Sequence, residues 1–415
     1  MDLIVRHARL RGRPDPVDIG IAEGRVQRIE PRLTGTATRE IDAAGQLTTP
    51  AFVEPHIHLD KALTADRARE NATNFFEDSI AAMREVKRHY TVEDVAARAT
   101  EVIHWLVGHG VTLVRSYVDV DTIVGLTALE GVLAARERCR RLAHVELIAF
   151  PQEGIFTDPG TDELMVRALE RGADVVGGMP FAEWLDEDAR RHTDLVFELA
   201  RRFDRDIQMH VDESDDPGAT TLHYYAVKAL REGWMGRVSA DHITALAAYD
   251  DAYAARVIGL VARARMSVVT LPGKLMRGGV RDREPRRRGI TRVKELLAAG
   301  VNVAYGQDVV KDGFIPVFGT GDPLQVGFLL AYAAQFSTRA DIETLYDMAT
   351  INGARLMRRS DYGLEVGCRA DLVVVAAPSV QEAYRTQPPR LAVIHDGRVV
   401  AENGRIVVPN TGGTP

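Results

Sequence analysis

Two histidines separated by one residue, in Glu54-Pro55-His56-Ile57-His58-Leu59-Asp60, close an apolar, extended run from Leu47 to Val53. Side chains on a strand alternate with period two, so His56 and His58 point the same way and both imidazoles reach one ion. Imidazole at such a spacing favours zinc or iron. Further short apolar runs end in polar residues: Met209-His210-Val211-Asp212-Glu213, Ala240-Asp241-His242 and Gly306-Gln307-Asp308. Three histidines and one aspartate (His56, His58, His210 and Asp308) make a ligand set for one divalent ion with a position left for water. An ion held that way lowers the pKa of its water towards neutrality and yields hydroxide. Asp308 suits two jobs, as ligand and as relay for the water's proton. Taken singly, each residue has a plainer reading: His210 is a strand-end histidine, Glu213 belongs to a helix's first turn, Asp308 caps a helix. Their coincidence at strand ends carries the metal reading. His7, His89, His104, His109, His144, His192, His223 and His395 fall outside the pattern.

The elements that must position these residues alternate between helix and strand. Apolar spacing near 3.6 predicts helices over Val92 to Gly108, Leu126 to Arg141, Thr161 to Arg171 and Thr193 to Phe203. Between them lie nearly continuous apolar strands: Thr112 to Val118, Val145 to Phe150, Asp174 to Met179, Asp206 to His210, Arg237 to His242, Ser267 to Leu271 and Val301 to Tyr305. Unbroken apolar strands are buried on both faces, as in a parallel sheet covered by helices. With the strand before His56 they number eight, which predicts an α/β chain built on a (β/α)8 TIM-like barrel, with its chemistry at the C-terminal strand ends. Both termini read as short strands instead, with hairpin turns at Glu23-Gly24 and Asp396-Gly397. The expected division is a small β-sandwich domain from residues 1–50 and 363–415 around a metal-dependent barrel at 51–362.

Composition bounds the function. The chain has 415 residues, 46% hydrophobic and 27% charged, as a globular protein does. Its net charge of −7 argues against nucleic-acid binding. The cluster Arg281, Arg283, Arg286, Arg287, Arg288 and Arg292 reads as a solvated or interface loop. Cys139 and Cys368, far apart, give no disulfide framework and fit a reducing cytoplasm. Met1 to Arg6 does not read as the start of a signal peptide and no apolar run approaches ~18 residues, so a cytoplasmic protein with no membrane partner is expected. Assembly with identical copies is expected too, and the tail from Asn410 to Pro415 reads as disordered.

The string around His56, Ala149-Phe150-Pro151-Gln152-Glu153-Gly154, His210-Val211-Asp212-Glu213 and Arg287-Arg288-Gly289-Ile290-Thr291-Arg292-Val293-Lys294-Glu295 resemble the bacterial cytosine deaminase branch of the amidohydrolase superfamily. The resemblance runs through Gly363-Leu364-Glu365-Val366-Gly367-Cys368-Arg369-Ala370-Asp371-Leu372. It implies that His56, His58, His210 and Asp308 hold one zinc or iron ion and that the substrate is a small amino-heterocycle. It implies that Glu213 protonates a ring nitrogen beside the amine-bearing carbon, that His242 stabilises the tetrahedral adduct, and that Asp308 passes a proton to the departing ammonia. Gln152 would present its amide to the ring's lactam edge.

Some positions depart from that branch. Val309 stands where a second aspartate follows the metal aspartate, Gln307 where a histidine precedes it, Phe314 where a tryptophan is expected, and Tyr117 where a histidine is usual. Val309 and Phe314, as substrate-binding residues, imply a more apolar and roomier pocket that prefers a substituted ring. Lys61 after His58-Leu59-Asp60 resembles the related N-alkylaminotriazine hydrolases, which lack the equivalent of Glu213. Deamination is therefore weighed against hydrolysis of a ring or N-alkylamino C–N bond, of the cyclic amidase or aminotriazine dealkylase type. Strand four, Val175 to Met179, has no lysine of the kind two-metal amidases carboxylate. The intact ligand set, with Glu213 and His242, argues against a non-catalytic scaffold on the same fold.

Overall fold

Eight short strands, nearly all of their residues buried, pair side by side in parallel and curl into a nearly closed barrel. They run Phe52–His58, Val111–Asp119, His144–Phe150, Val175–Val176, Asp206–Val211, Val238–His242, Ser267–Thr270 and Asn302–Tyr305, each beside its predecessor in sequence. The computed structural model describes residues 1–70, 76–276, 289–314 and 318–407. Helices follow the strands and cover the barrel, among them Val92–Gly108, Thr127–Arg138, Thr161–Arg171, Asp186–Phe203, Thr221–Arg231 and Asp251–Arg263. Thr91 caps the first of these by accepting from Asp94 N, and Asp250 caps the last by accepting from Tyr253 N. The predicted barrel is the observed one.

Two smaller sheets flank it. One takes Leu3–Ala8, Val17–Ala22, Arg25–Glu30 and Arg39–Asp42 from the N-terminal part. The other joins Leu47–Pro50 to Leu372–Val375, Arg390–His395, Arg398–Glu402 and Arg405–Ile406. Along Leu372–Val375 the side chains alternate between two cores. Leu372 and Val374 pack with Leu3, Val5, Ile19 and Ile394, whereas Val373 and Val375 join the main barrel core. The C-terminal sheet is thus buried on both faces, between the N-terminal sheet and the barrel. Both hairpin turns carry two residues with positive φ: Glu23 (53°) with Gly24 (72°), and Asp396 (51°) with Gly397 (74°). Those are the torsions that suit the right-handed twist of paired strands.

Two expectations need correction in detail. The run Leu47 to Val53 is not one strand: Leu47–Pro50 pairs antiparallel with Leu372–Val375, and the barrel strand starts at Phe52. Strand four is only Val175–Val176. Past it, Gly177 and Gly178 lie so close to Ala149 O and Met209 Sδ that a Cβ would sit 2.3 Å and 2.6 Å from them, and the chain bends away. Arg281, Arg283, Arg286, Arg287 and Arg288, and the tail from Asn410, lie outside the described residues. Arg292 pairs with Asp251 and Glu295, a surface role.

Candidate metal centre

His56 and His58 end the first strand, and Asp308 follows the eighth. These strands meet through their backbones at those residues: His58 N donates to Asp308 O (3.0 Å) and Asp308 N to His56 O (2.9 Å). The buried Glu54 carboxylate straps the junction, accepting from His56 N (2.9 Å) and Gln307 N (3.0 Å). Burial pushes Glu54 up to about 8. Gly306 passes so close that a Cβ would come within 2.6 Å of Glu54 Oε1. Asp308 (φ 70°) and His242 (φ 65°) sit in left-handed backbone that non-glycine residues rarely adopt, a form of strain that collects at functional sites.

The side chains converge. One ligand atom from each of His56, His58, His210 and Asp308 lies within 4.8 Å of every other, and all four residues are buried. His56 Nε2 and His58 Nε2 each lie 3.4 Å from Asp308 Oδ1, and His58 Nε2 is 3.3 Å from His210 Nε2. The fit to an ion can be tested on His56. Its Nδ1 donates to Asp241 Oδ2 (2.6 Å), so the neutral ring keeps its lone pair on Nε2, an atom that is buried without a hydrogen-bond partner. Such an atom is what a zinc or iron ion would satisfy. Asp241 Oδ2 also accepts from Tyr117 Oη and Gln208 Nε2, both at 2.7 Å, so the orienting carboxylate is itself held. Phe150 stacks on His210 with centroids 4.4 Å apart.

Charge around the site is uneven. Burial works against a charged His56, yet the Asp241 and Asp308 carboxylates hold its pKa up at about 9, and an ion would take the place of the Nε2 proton between these carboxylates. His58 is pushed down to about 3 by burial and by Lys61, and His210 well below its ordinary value by burial and the neighbouring His242. Burial would raise Asp308, but Lys274 and the histidines outweigh it and hold the carboxyl well below the usual range.

Glu213 and His242 join the cluster through His210, with His242 Nε2 3.7 Å from Glu213 Oε2. A cleft of about 880 Å³ opens beside them, and Gln152, Glu213 and Met179 are among its walls. Gln152 Nε2 lies 3.3 Å from Met179 Sδ. Val309, next to Asp308, and Phe314 are buried in the main core. Lys61 is buried with Nζ 3.1 Å from His58 Nδ1 and 2.5 Å from Asp119 Oδ1, and Lys87 continues the chain to Asp121 and Glu153 (both 2.6 Å).

Two residues escaped the sequence reading. Lys274, on the turn Pro272–Met276 after strand seven, lines the cleft with Nζ 3.1 Å from Asp308 Oδ2. Only its position just past a strand end could have flagged it. Glu183 anchors the loop after strand three, accepting from Ile155 N, Thr157 N and Thr157 Oγ1 at 2.6–3.0 Å. It carried no motif.

A parallel barrel with three histidines and an aspartate gathered at its C-terminal rim is the scaffold of a metal-dependent hydrolase. This chain belongs to the amidohydrolase family, whose model matches residues 62–401. It is 32% identical to the N-isopropylammelide isopropyl amidohydrolase of Pseudomonas sp. (strain ADP), over 98% of both chains. It is 30% identical to the pterin deaminase of Rhizobium rhizogenes, over 92% of this chain and 87% of that one. The crystal structure of 5-methylcytosine deaminase from Klebsiella pneumoniae liganded with 5-fluorocytosine superposes with a TM-score of 0.92, at 34% identity and 98% coverage of each chain. No helix among the described residues is long and apolar enough to cross a membrane.

Proposed function

We propose that the enzyme is an aminohydrolase that replaces the exocyclic amine of a cytosine-like or related amino-heterocycle with oxygen and releases ammonia. The observation that carries this reading is the buried group His56, His58, His210 and Asp308 joined through His210 to a second group with Glu213 and His242. One zinc or iron ion at the four ligands would supply a water acidified enough to attack at neutral pH. Glu213, on the cleft wall, is the acid that protonates the ring nitrogen beside the amine-bearing carbon, a contribution typically of ~10²–10⁴ in rate. His242 donates to the oxygen that becomes the new ring substituent. Asp308 takes the water's proton and returns it to the leaving amine. Gln152 orients the ring, with one amide face donating and the other accepting. Val309 beside Asp308, and Phe314 against Lys61 and Lys274, are buried behind the residues that line the cleft, and the apolar surface they would add there favours a substituted ring over cytosine itself.

A second reading has its own support. The 880 Å³ cleft holds more than a bare six-membered ring, and Lys61 stands beside His58. Release of an alkylamine from an N-alkylamino ring, the kind of substrate in the name of the Pseudomonas relative, breaks the same kind of exocyclic C–N bond and would use the same four metal ligands. One experiment separates the two. Metal-analysed protein is given a panel of amino- and N-alkylamino-heterocycles, including cytosine, 5-methylcytosine, pterins and aminotriazines, with ammonia and alkylamine measured separately. Deamination predicts ammonia from at least one ring; alkylamine alone would favour the second reading, and neither product would overturn both.

A further inference from the structure

We infer that Lys274 is a specificity-determining residue that binds an oxygen on the edge of the substrate ring opposite the edge held by Gln152, so that the preferred substrate carries acceptor oxygens on both flanks of its amine-bearing carbon. The inference rests on the aminohydrolase or dealkylase reading for the site, and on geometry of its own.

Lys274 leaves strand seven as Gln152 leaves strand three, and these strands are opposite each other in an eight-strand round. Both residues line one cleft. A ring seated over the four ligands therefore meets a neutral amide at one edge and an ammonium at the other. The Lys274 side chain is only 6% exposed, with Nζ 3.1 Å from Asp308 Oδ2, 3.9 Å from Glu213 Oε1 and 5.5 Å from the centroid of the Phe314 ring. Among the described residues the buried Asp312 carboxylate is a further acid within its electrostatic reach. A buried ammonium needs acceptors. Asp308 Oδ1 is the oxygen nearest His56 and His58, so an ion there draws on the same carboxylate that now balances Lys274. Glu213, at 3.9 Å, is beyond a direct hydrogen bond. Among the described residues Asp308 Oδ2 is the acceptor close to Nζ, so the three-donor ammonium can also serve the cleft it lines. A ring oxo group, or the anion of an acidic dioxo ring, fits that position in charge and in donor–acceptor sense. An unsubstituted C–H edge leaves the ammonium desolvated with nothing to bind.

The test uses metal-loaded protein and pairs of triazines that differ by one ring oxo group. Binding by calorimetry uses rings without the amine, which cannot turn over, and kcat/KM uses the matching aminotriazines. The wild type is expected to prefer the dioxo ring, and Lys274→Met, of similar length without charge or donor, to reduce that preference by about ten- to a hundredfold, the range for losing one charged hydrogen bond. Lys274→Gln, which keeps a donor, should fall between. An unchanged preference in Lys274→Met, or a wild type indifferent to the second oxo group, would overturn the inference. So would loss of the ion from both variants, because the ammonium would then serve Asp308 alone. If the binding preference behaves as expected but no ring releases an amine, the aminohydrolase reading falls and the role of Lys274 stands. If amine is released while both rings bind alike, the reverse holds.

Discussion

Asp241 offers the sharpest way to ask whether the ligands are oriented by the protein or by the ion. Its Oδ2 receives His56 Nδ1 at 2.6 Å and Tyr117 Oη and Gln208 Nε2 at 2.7 Å. Asp241→Asn keeps the shape and removes the charge. The replacement amide must turn its oxygen to these donors, because Arg115 holds Gln208 Oε1 (2.9 Å) and so fixes Gln208 Nε2 as a donor. Hydrogen bonds to a charged group are worth ~1.5–3 kcal/mol and neutral ones ~0.5–1.5 kcal/mol, so the His56 contact alone should weaken by ~1–2 kcal/mol. That corresponds to a loss of about 5- to 30-fold in metal affinity, overlapping the lower part of the ~10–100-fold usual for partners of ligating histidines. Tyr117→Phe removes one donor, leaves the charge, and should cost less than about fivefold. The assay is zinc titration of stripped protein against a competing chelator, with thermal denaturation of the metal-free protein as the control for folding. An Asp241→Asn affinity within about twofold of wild type would refute the reasoning. A loss of affinity matched by an equal loss of metal-free stability would refute it equally.

Glu213→Gln is expected to lower kcat by at least ~10² with metal content unchanged, and His242→Asn to abolish turnover while retaining the ion, both read by steady-state kinetics beside elemental analysis. Loss of metal from Glu213→Gln would instead make Glu213 a ligand. Val309→Asp should shift kcat/KM from 5-methylcytosine and larger rings towards cytosine. Contact with a methyl is worth only ~0.8 kcal/mol, so any larger shift reports the buried carboxylate rejecting apolar substituents. Glu183 gives a pH prediction away from the ligands. Burial favours its protonated form, but His192 and the loop donors outweigh that and hold it down to about 2, against an ordinary 4.5. A depressed carboxyl stabilises the fold above its unfolded value, and that contribution is lost as pH falls from about 4.5 to about 2. Melting curves of wild type and Glu183→Gln should therefore differ at neutral pH and converge in acid; a constant gap would contradict the assignment.

The barrel and the place of its chemistry were legible because both rest on period and position. Buried parallel strands are apolar throughout, so each polar residue at a strand end stands out, and His210 and Asp308 were found that way. What escaped lacked that contrast. Lys274 follows Leu271-Pro272-Gly273, a turn signal, and a lysine in a turn ordinarily faces water. Glu183 acts on a loop far from it in sequence, and such pairings are made only by the fold. Leu47 to Val53 looked continuous because both sheets want the same apolar residues; the break falls at Pro50-Ala51, and only the pairing with Leu372–Val375 shows it. Asp241 lay in view beside His242, but its orienting role depends on His56, a strand at the other end of the sheet.

The junction of the first and eighth strands has a consequence for how the protein comes together. Elsewhere neighbouring barrel strands share ladders of two or more residue pairs, whereas these two join at one isolated bridge, Ile57 with Asp308. The ring therefore fastens at the residues that gather the ion, and an ion held there would act as a clasp across this thin seam. The seam of the barrel and the ligand set share residues, so what loosens one loosens the other. Metal-free chains would open along this line first, and a variant that starves for metal would look, to a protease, like a barrel left ajar.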